Sequence, residues 1–281
     1  MSACTYIDSP GNEADTSSPS STEDAELTTT VAPSADNRRT VSSPIPADEP
    51  VTIATRPENS DSLITENVMT SSGMAVIDHL VLAVPDLDAA MADFERTHGV
   101  RPAIGGRHQG LGTHNALVSF GDSYLELIAP DPSQPDPDGP RPFGVDDVDA
   151  PRLVTFAVRP DAAKGETIEM LIAACQAARH DPGPVVSMSR RTPDGTALTW
   201  RLTFPTMAHD GLVPFLIDWG STVNPATTAP GGVSLVELSG TTADPDAANA
   251  VLGVLALDEF ARPVGATHPG LVVDIGARRN D

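Results

Sequence analysis

The chain has 281 residues, 40% of them hydrophobic, and a formal net charge of -22 from 39 Asp/Glu against 17 Lys/Arg. That length and apolar content support one large or two small folded domains, while so acidic a chain repels phosphate backbones and excludes nucleic acid as an expected partner. No apolar run reaches the about 18 residues of a membrane span, and the N-terminus lacks the basic-then-apolar order of a secretory signal, so a soluble, cytoplasmic protein with no membrane partner is expected.

Residues 1–73 hold 12 Asp/Glu, three Lys/Arg and a single aromatic residue, Tyr6, among abundant Ser, Thr and Pro. Such a stretch buries too little apolar surface to offset the entropy of ordering it, which predicts a disordered acidic tail. Met74 follows Ser71-Ser72-Gly73 and precedes the first apolar run, so a start at Met74 would leave the folded part whole. The two cysteines, Cys4 and Cys175, are too few for a disulfide framework.

The first module is predicted over 74–130. Val76 to Val84 is a β-prone run stopped by Pro85-Asp86, and residues 87–98 place Leu87, Ala90, Met91 and Phe94 on one helical face, with Asp86 or Asp88 as cap and His98-Gly99 as stop. Strands are expected at Val100 to Ile104, Asn115 to Phe120 and Tyr124 to Ala129, which makes the order βαβββ. Residues 131–150 form a Pro- and Asp-rich linker that suits neither a helix nor a central strand.

The order then repeats over 151–223: a strand at Leu153 to Val158, a helix at Ala162 to Arg179, and strands at Val185 to Met188, Leu198 to Phe204 and Val213 to Trp219. Residues 224–281 add a strand at Val233 to Leu238, a helix at Asp244 to Leu255 and a strand at Leu271 to Ile275, read as a C-terminal extension and an incomplete third repeat. The expected fold is α+β, with tandem βαβββ modules curving around a shared cavity and a βαβ-like extension.

His79 and Glu126 stand in apolar strands, where neither would be chosen for packing, and a buried carboxylate calls for a polar cavity or a metal. The plain alternative for His79 is a satisfied core histidine. Arg107, His108 and Asn115 lie on or beside a stretch with glycines at 105, 106, 110 and 112, which either lets backbone approach a ligand or only shapes a long turn. His114 either caps that turn or faces the cavity. Trp200 and Trp219 are core residues or an aromatic wall, and Glu237 is a further carboxylate in an apolar strand.

Three stretches, Val76-Ile-Asp-His-Leu-Val-Leu-Ala-Val84, Gly105-Gly-Arg-His-Gln-Gly-Leu-Gly-Thr-His-Asn-Ala-Leu117 and Tyr124-Leu-Glu-Leu-Ile-Ala-Pro130, resemble the glyoxalase-like domain of the vicinal oxygen chelate (glyoxalase/bleomycin resistance/dioxygenase) superfamily. The resemblance implies paired modules whose sheets face one cavity. It also implies metal ligands on the first and last strands of each module and a divalent ion that chelates two substrate oxygens. His79 and Glu126 match the first-module positions. Glu126 is then base or ligand, His79 ligand or acid/base, and His114 with Asn115 orients the substrate. In the second module, aligning Ala83-Val84 with Ala157-Val158 sets Leu153 opposite His79, and Asp218 falls near the Glu126 equivalent. The implied set is therefore at best His79, Glu126 and Asp218, with His114 able to complete a His/His/carboxylate site for iron, manganese or zinc, and a metal-free polar site of His79, His114 and Glu126 is favoured over it. The expected function is a lyase, isomerase or dioxygenase type enzyme acting on a compact oxygenated molecule, with a metal-free ligand-binding protein as the alternative. Modules paired within one chain or between two leave a homodimer open.

Overall fold

Near-continuous apolar runs in β-strands of the first module build a sheet that is buried on both faces. A computed structural model describes residues 3–7, 74–191, 197–204, 206, 208–257, 263–265 and 270–277, all within one unit. The first module consists of β2 (Ala75–Ala83), α1 (Leu87–His98), β3 (Ala103–His108), β4 (Thr113–Ser119) and β5 (Tyr124–Pro130). The second consists of β6 (Arg152–Pro160), α2 (Ile168–Ala177), β7 (Val185–Arg191), β8 (Ala197–Thr203) and β9 (Phe215–Asp218). Strand order β3-β4-β5-β2-β6-β9-β8-β7 runs the two modules back to back through an antiparallel β2–β6 pair. Within each module the first and last strands pair in parallel.

Within the segment whose composition predicts disorder, Ala3–Ile7 forms β1, which joins β3 to β7 and closes the sheet into a barrel. The remainder of that predicted tail, residues 1–2 and 8–73, lies outside the described residues.

Helix α1 begins where the Asp86 carboxylate accepts the Ala89 N–H at 2.8 Å and ends at Gly99 (φ 73), whose N–H bonds the Glu95 carbonyl. A left-handed φ at that position is cheap only for glycine. The helix expected over 162–179 is shorter. A 3-10 turn at Ala162–Lys164 stops at Gly165 (φ 74), and Thr167 caps a new start, so α2 proper is Ile168–Ala177. The strand expected at 100–104 instead occupies Ala103–His108, with a register shift between Ile104 and Gly106. Part of the glycine-rich stretch is thus strand rather than turn.

The sheet's outer face packs against the helices. Leu80, Leu82, Leu125, Leu127, Phe156 and Leu216 are buried there with Phe94 of α1 and Leu171 and Cys175 of α2. Each such side chain contributes about 1.5–3 kcal/mol of burial. The C-terminal part consists of β10 (Val233–Thr242), α3 (Pro245–Leu255, capped by Asp244), β11 (Pro263–Gly265) and β12 (Gly270–Ala277) in a separate sheet ordered β11-β10-β12. Val233, Leu238, Val251, Leu252, Leu255 and Val273 join the same outer core. Glu237 faces water at a register shift in β10, which removes it from the cavity. No helix among the described residues is long and apolar enough to cross a membrane.

Candidate active site

The inner face of the barrel carries a second, smaller core of Val81, Ala83, Ile128, Ala157, Phe215 and Ile217. Strand period puts His79 in line with Val81 on β2, and Tyr124 with Glu126 on β5. All four are buried or nearly so, and His79 pairs in register with Tyr124. The two rings stack with centroids 4.7 Å apart and 18° between planes, while Phe215 meets His79 edge-on at 5.4 Å.

Glu126 is 6% exposed. Its Oε1 accepts the Asn115 amide at 2.5 Å, and its Oε2 stands 3.6 Å from His79 Nε2. His108 sits behind this pair: its Nδ1 is 2.9 Å from the Thr113 hydroxyl, and its Nε2 lies 3.3 Å from Asn115 Nδ2 and 3.8 Å from Glu126 Oε1. Four side chains from three strands and a strand end, His79, His108, Asn115 and Glu126, therefore meet at one end of a cavity of about 90 Å³. At roughly 10–15 Å³ per water, that is room for a compact molecule and little more.

Asp78 completes the arrangement, and the sequence reading passed over it. Simple alternation would turn it away from His79, but the β2–β6 register shifts between Ile77 and His79. A bulge there re-aims a side chain. Asp78 is fully buried and lies 2.7 Å from His79 Nδ1. It also accepts the Trp219 indole N–H at 3.1 Å and the Asn224 amide at 2.7 Å, with Arg159 3.9 Å away. Bonding at Nδ1 fixes the histidine tautomer and leaves Nε2 toward Glu126.

The rest of the cavity wall is apolar. Phe143, Trp200, Leu202, Phe215, Ile217 and Trp219 face the polar end. Trp200 and Trp219, which the sequence left open between core and wall, both line the cavity. Phe143 comes from the stretch read only as a linker. It holds φ 63, an uncommon backbone for a bulky residue, and neighbouring Arg141 ties the segment down through Asp136, through Asp146 at 2.6 Å and through the Gly112 carbonyl at 2.9 Å.

Three candidates lie elsewhere. His114 sits between Thr113 and Asn115 on β4, so it faces away from the cavity and acts electrostatically on Asp131; the expectation that it shares the cavity is corrected by strand alternation. Arg107, paired in register with His114, reaches Asp131 at 3.3 Å instead of a ligand. Asp218 also turns outward, where it accepts from Arg201 at 2.5 Å and from the Gly220 N–H.

Strand pairing also revises the second-module alignment. His79 pairs with Tyr124 in β2–β5, and Ala157 pairs with Phe215 in β6–β9, so Ala157 rather than Leu153 is the counterpart of His79, and Ile217 the counterpart of Glu126. Leu153 is in the outer core. Both second-module counterparts are apolar, and no group of three or more His, Cys, Asp or Glu among the described residues is arranged to hold a metal ion. The donor set therefore does not fit the four-ligand pattern, and no chemical step is assigned to a metal.

Residues 77–255, well over half the chain, match the glyoxalase-like domain family, and the chain belongs to it. This places it in the vicinal oxygen chelate superfamily. Among solved structures, a hypothetical protein from Staphylococcus aureus is similar at 14% identity over 73% of this chain and 98% of its own, with a TM-score of 0.50. Methylmalonyl-CoA epimerase from Mycobacterium tuberculosis is similar at 18% identity over 54% of this chain and 91% of its own, with a TM-score of 0.34. No curated protein matches the chain.

Proposed function

We propose that the protein is a small-molecule enzyme of the isomerase or lyase type that moves a proton on a compact oxygenated substrate held in the module cavity. One observation carries this reading: His79 Nε2 and Glu126 Oε2 face each other at 3.6 Å, beyond hydrogen-bond distance, at the cavity's polar end. With Asp78 accepting from Nδ1, Nε2 is left to exchange a proton with whatever enters the cavity, and the Glu126 carboxylate oxygen facing it is an acceptor. A pair so placed, too far apart to bond each other, is completed by the X–H bond of a substrate. In this reading Glu126 takes a proton from the carbon beside a substrate carbonyl and hands it to His79 Nε2, and the imidazolium so formed, held by Asp78, donates to the oxygen that gained charge or gives the proton back to the carbon. Asn115 orients the carboxylate.

The test is proton exchange. The purified protein is incubated in D2O with a panel of small 2-oxo and 2-hydroxy carbonyl compounds, and loss of the signal from the carbon-bound proton is followed by NMR. Wild type exchanges at least one compound, and His79→Gln and Glu126→Gln each slow that exchange about 100-fold or more, as removal of a general acid or base does. Exchange that survives in both variants, or that no compound shows, defeats the reading.

A second reading, a metal-free protein that sequesters its ligand, is favoured by the aromatic wall of Phe143, Trp200, Phe215 and Trp219. It predicts tight binding with no exchange.

A further inference from the structure

The chemistry of the cavity walls restricts the head group of whatever binds there. We infer that the substrate is a ring-bearing compound whose head is an uncharged hydroxyl or a protonated amine, and that carboxylate and phosphate heads are rejected. This rests on the cavity reading above and narrows its substrate class.

Charge is the first argument. Among the described residues no Lys or Arg lines the cavity. The nearby guanidinium groups are committed elsewhere: Arg141 to Asp136 and Asp146, Arg201 to Glu169 and Asp218, Arg107 to Asp131. Arg159 donates to the Ile77 carbonyl at 3.1 Å and lies beside Asp78, behind the wall. An anionic head would enter with the Glu126 carboxylate in front of it and no Lys or Arg of the described lining to offset that charge. Taking such a head out of water without a partner is strongly unfavourable.

The second argument is the free valence on Glu126. Its Oε1 is satisfied by Asn115, whereas Oε2 receives no hydrogen bond from the described residues although the side chain is over nine-tenths buried. A buried carboxylate oxygen is satisfied by a donor; His79 Nε2, at 3.6 Å, stands beyond bonding distance, and the cavity side is where a ligand can supply one. Hydroxyl and ammonium heads donate; carboxylate and fully ionised phosphate heads do not.

The walls supply the third argument. Trp200 and Trp219 meet at 5.4 Å and 40°, and Phe143 and Phe215 at 5.9 Å and 49°. Tilted ring faces of this kind accept a flat or alicyclic body and attract a cation placed over them. Donor head and excluded anion both follow from Glu126, and the aromatic body follows from the walls.

Trp200 and Trp219 are the chain's only tryptophans, so intrinsic emission reports on this cavity. The experiment titrates the full-length protein with benzylamine, benzyl alcohol and benzoate, three probes that share a ring and differ in the head. Benzylamine and benzyl alcohol are expected to change the emission and to bind about tenfold or more tightly than benzoate. In Glu126→Gln, whose amide can donate to an anion, the gap between benzylamine and benzoate closes. Benzoate binding as tightly as benzylamine to wild type overturns the inference, as does an unchanged gap in the variant or the failure of every probe to alter the emission. None of these readouts depends on catalysis. A protein that prefers benzoate but exchanges protons through His79 loses only the head-group assignment; one that shows the expected order without exchange loses only the proton-transfer reading.

Discussion

Asp78 and His79 are consecutive in one strand, yet the carboxylate of the first lies 2.7 Å from Nδ1 of the second, inside the protein. Neighbours in a regular strand point to opposite faces. The register shift at Asp78 in the β2–β6 pair removes that constraint, and the bulged residue then reaches the Trp219 indole and the Asn224 amide as well. One buried carboxylate thereby sets the histidine tautomer and anchors the loop that follows β9.

Substitution at Asp78 separates these two duties. Asp78→Ala leaves three buried or half-buried donors without their acceptor and is expected to cost about 3 kcal/mol, read from the denaturant midpoint. Asp78→Asn keeps the shape and one acceptor oxygen but loses the charge, so its cost is smaller. Its 15N spectrum should show the His79 proton shared between ring nitrogens instead of held on Nδ1. A variant with wild-type stability and an unchanged tautomer would show that Asp78 does neither.

Gly105 lies against the site from the other side. A Cβ built there would stand 2.4 Å from Asn115 Oδ1 and 3.2 Å from Leu117. The Asn115 side chain would have to move, and its bond to Glu126 with it. Gly105→Ala is expected to lose about 1–3 kcal/mol of stability and to shift the tryptophan emission, because Leu117 and Asn115 both line the cavity. Unaltered emission and stability would mean that the strand yields freely at this point.

The tandem modules were legible because each strand and helix carries its own periodicity and stop signals: Asp86, Gly99 and Asp244 act where such residues usually act. His79 and Glu126 were legible for the opposite reason, as polar residues that break an apolar pattern. Asp78 breaks the same pattern, but only pairing with β6 shows the bulge that turns it inward, and pairing is a long-range property. Phe143 gave no signal, since a Pro/Asp-rich segment reads as linker until Arg141 is seen to tie it over the cavity. His114 and Asp218 were misplaced by a single residue of register, which in a strand exchanges one face for the other.

Asp131 offers a pH test outside the cavity. Burial pushes its carboxyl up, but hydrogen bonds from Ser133 and Gln134, with His114 nearby, outweigh that and hold it below the usual carboxylate range. A carboxylate whose folded-state pKa is lowered contributes stability above its unfolded value, about 4, and loses that contribution as pH falls through the folded value. Thermal unfolding of wild type and Asp131→Asn should therefore differ most above about pH 4 and converge at lower pH. Parallel curves down to strong acid would show that the ionised form is not what the site favours.

Cys175 completes the set from the outer core. It is 1% exposed on α2, and burial pushes its thiol up to about 11. Thiolate is the reacting species, so at mild alkaline pH almost none is present, and the surrounding side chains exclude reagent as well. In a Cys4→Ser background, native protein at pH 8 should leave a thiol-specific chromogenic reagent unreacted, and denaturant should release one thiol per chain at the unfolding transition. The pre-transition rate then measures local opening of α2 against the sheet. Rapid labelling in the native state would place Cys175 in contact with solvent and contradict its position among Ile168, Leu171 and Leu216.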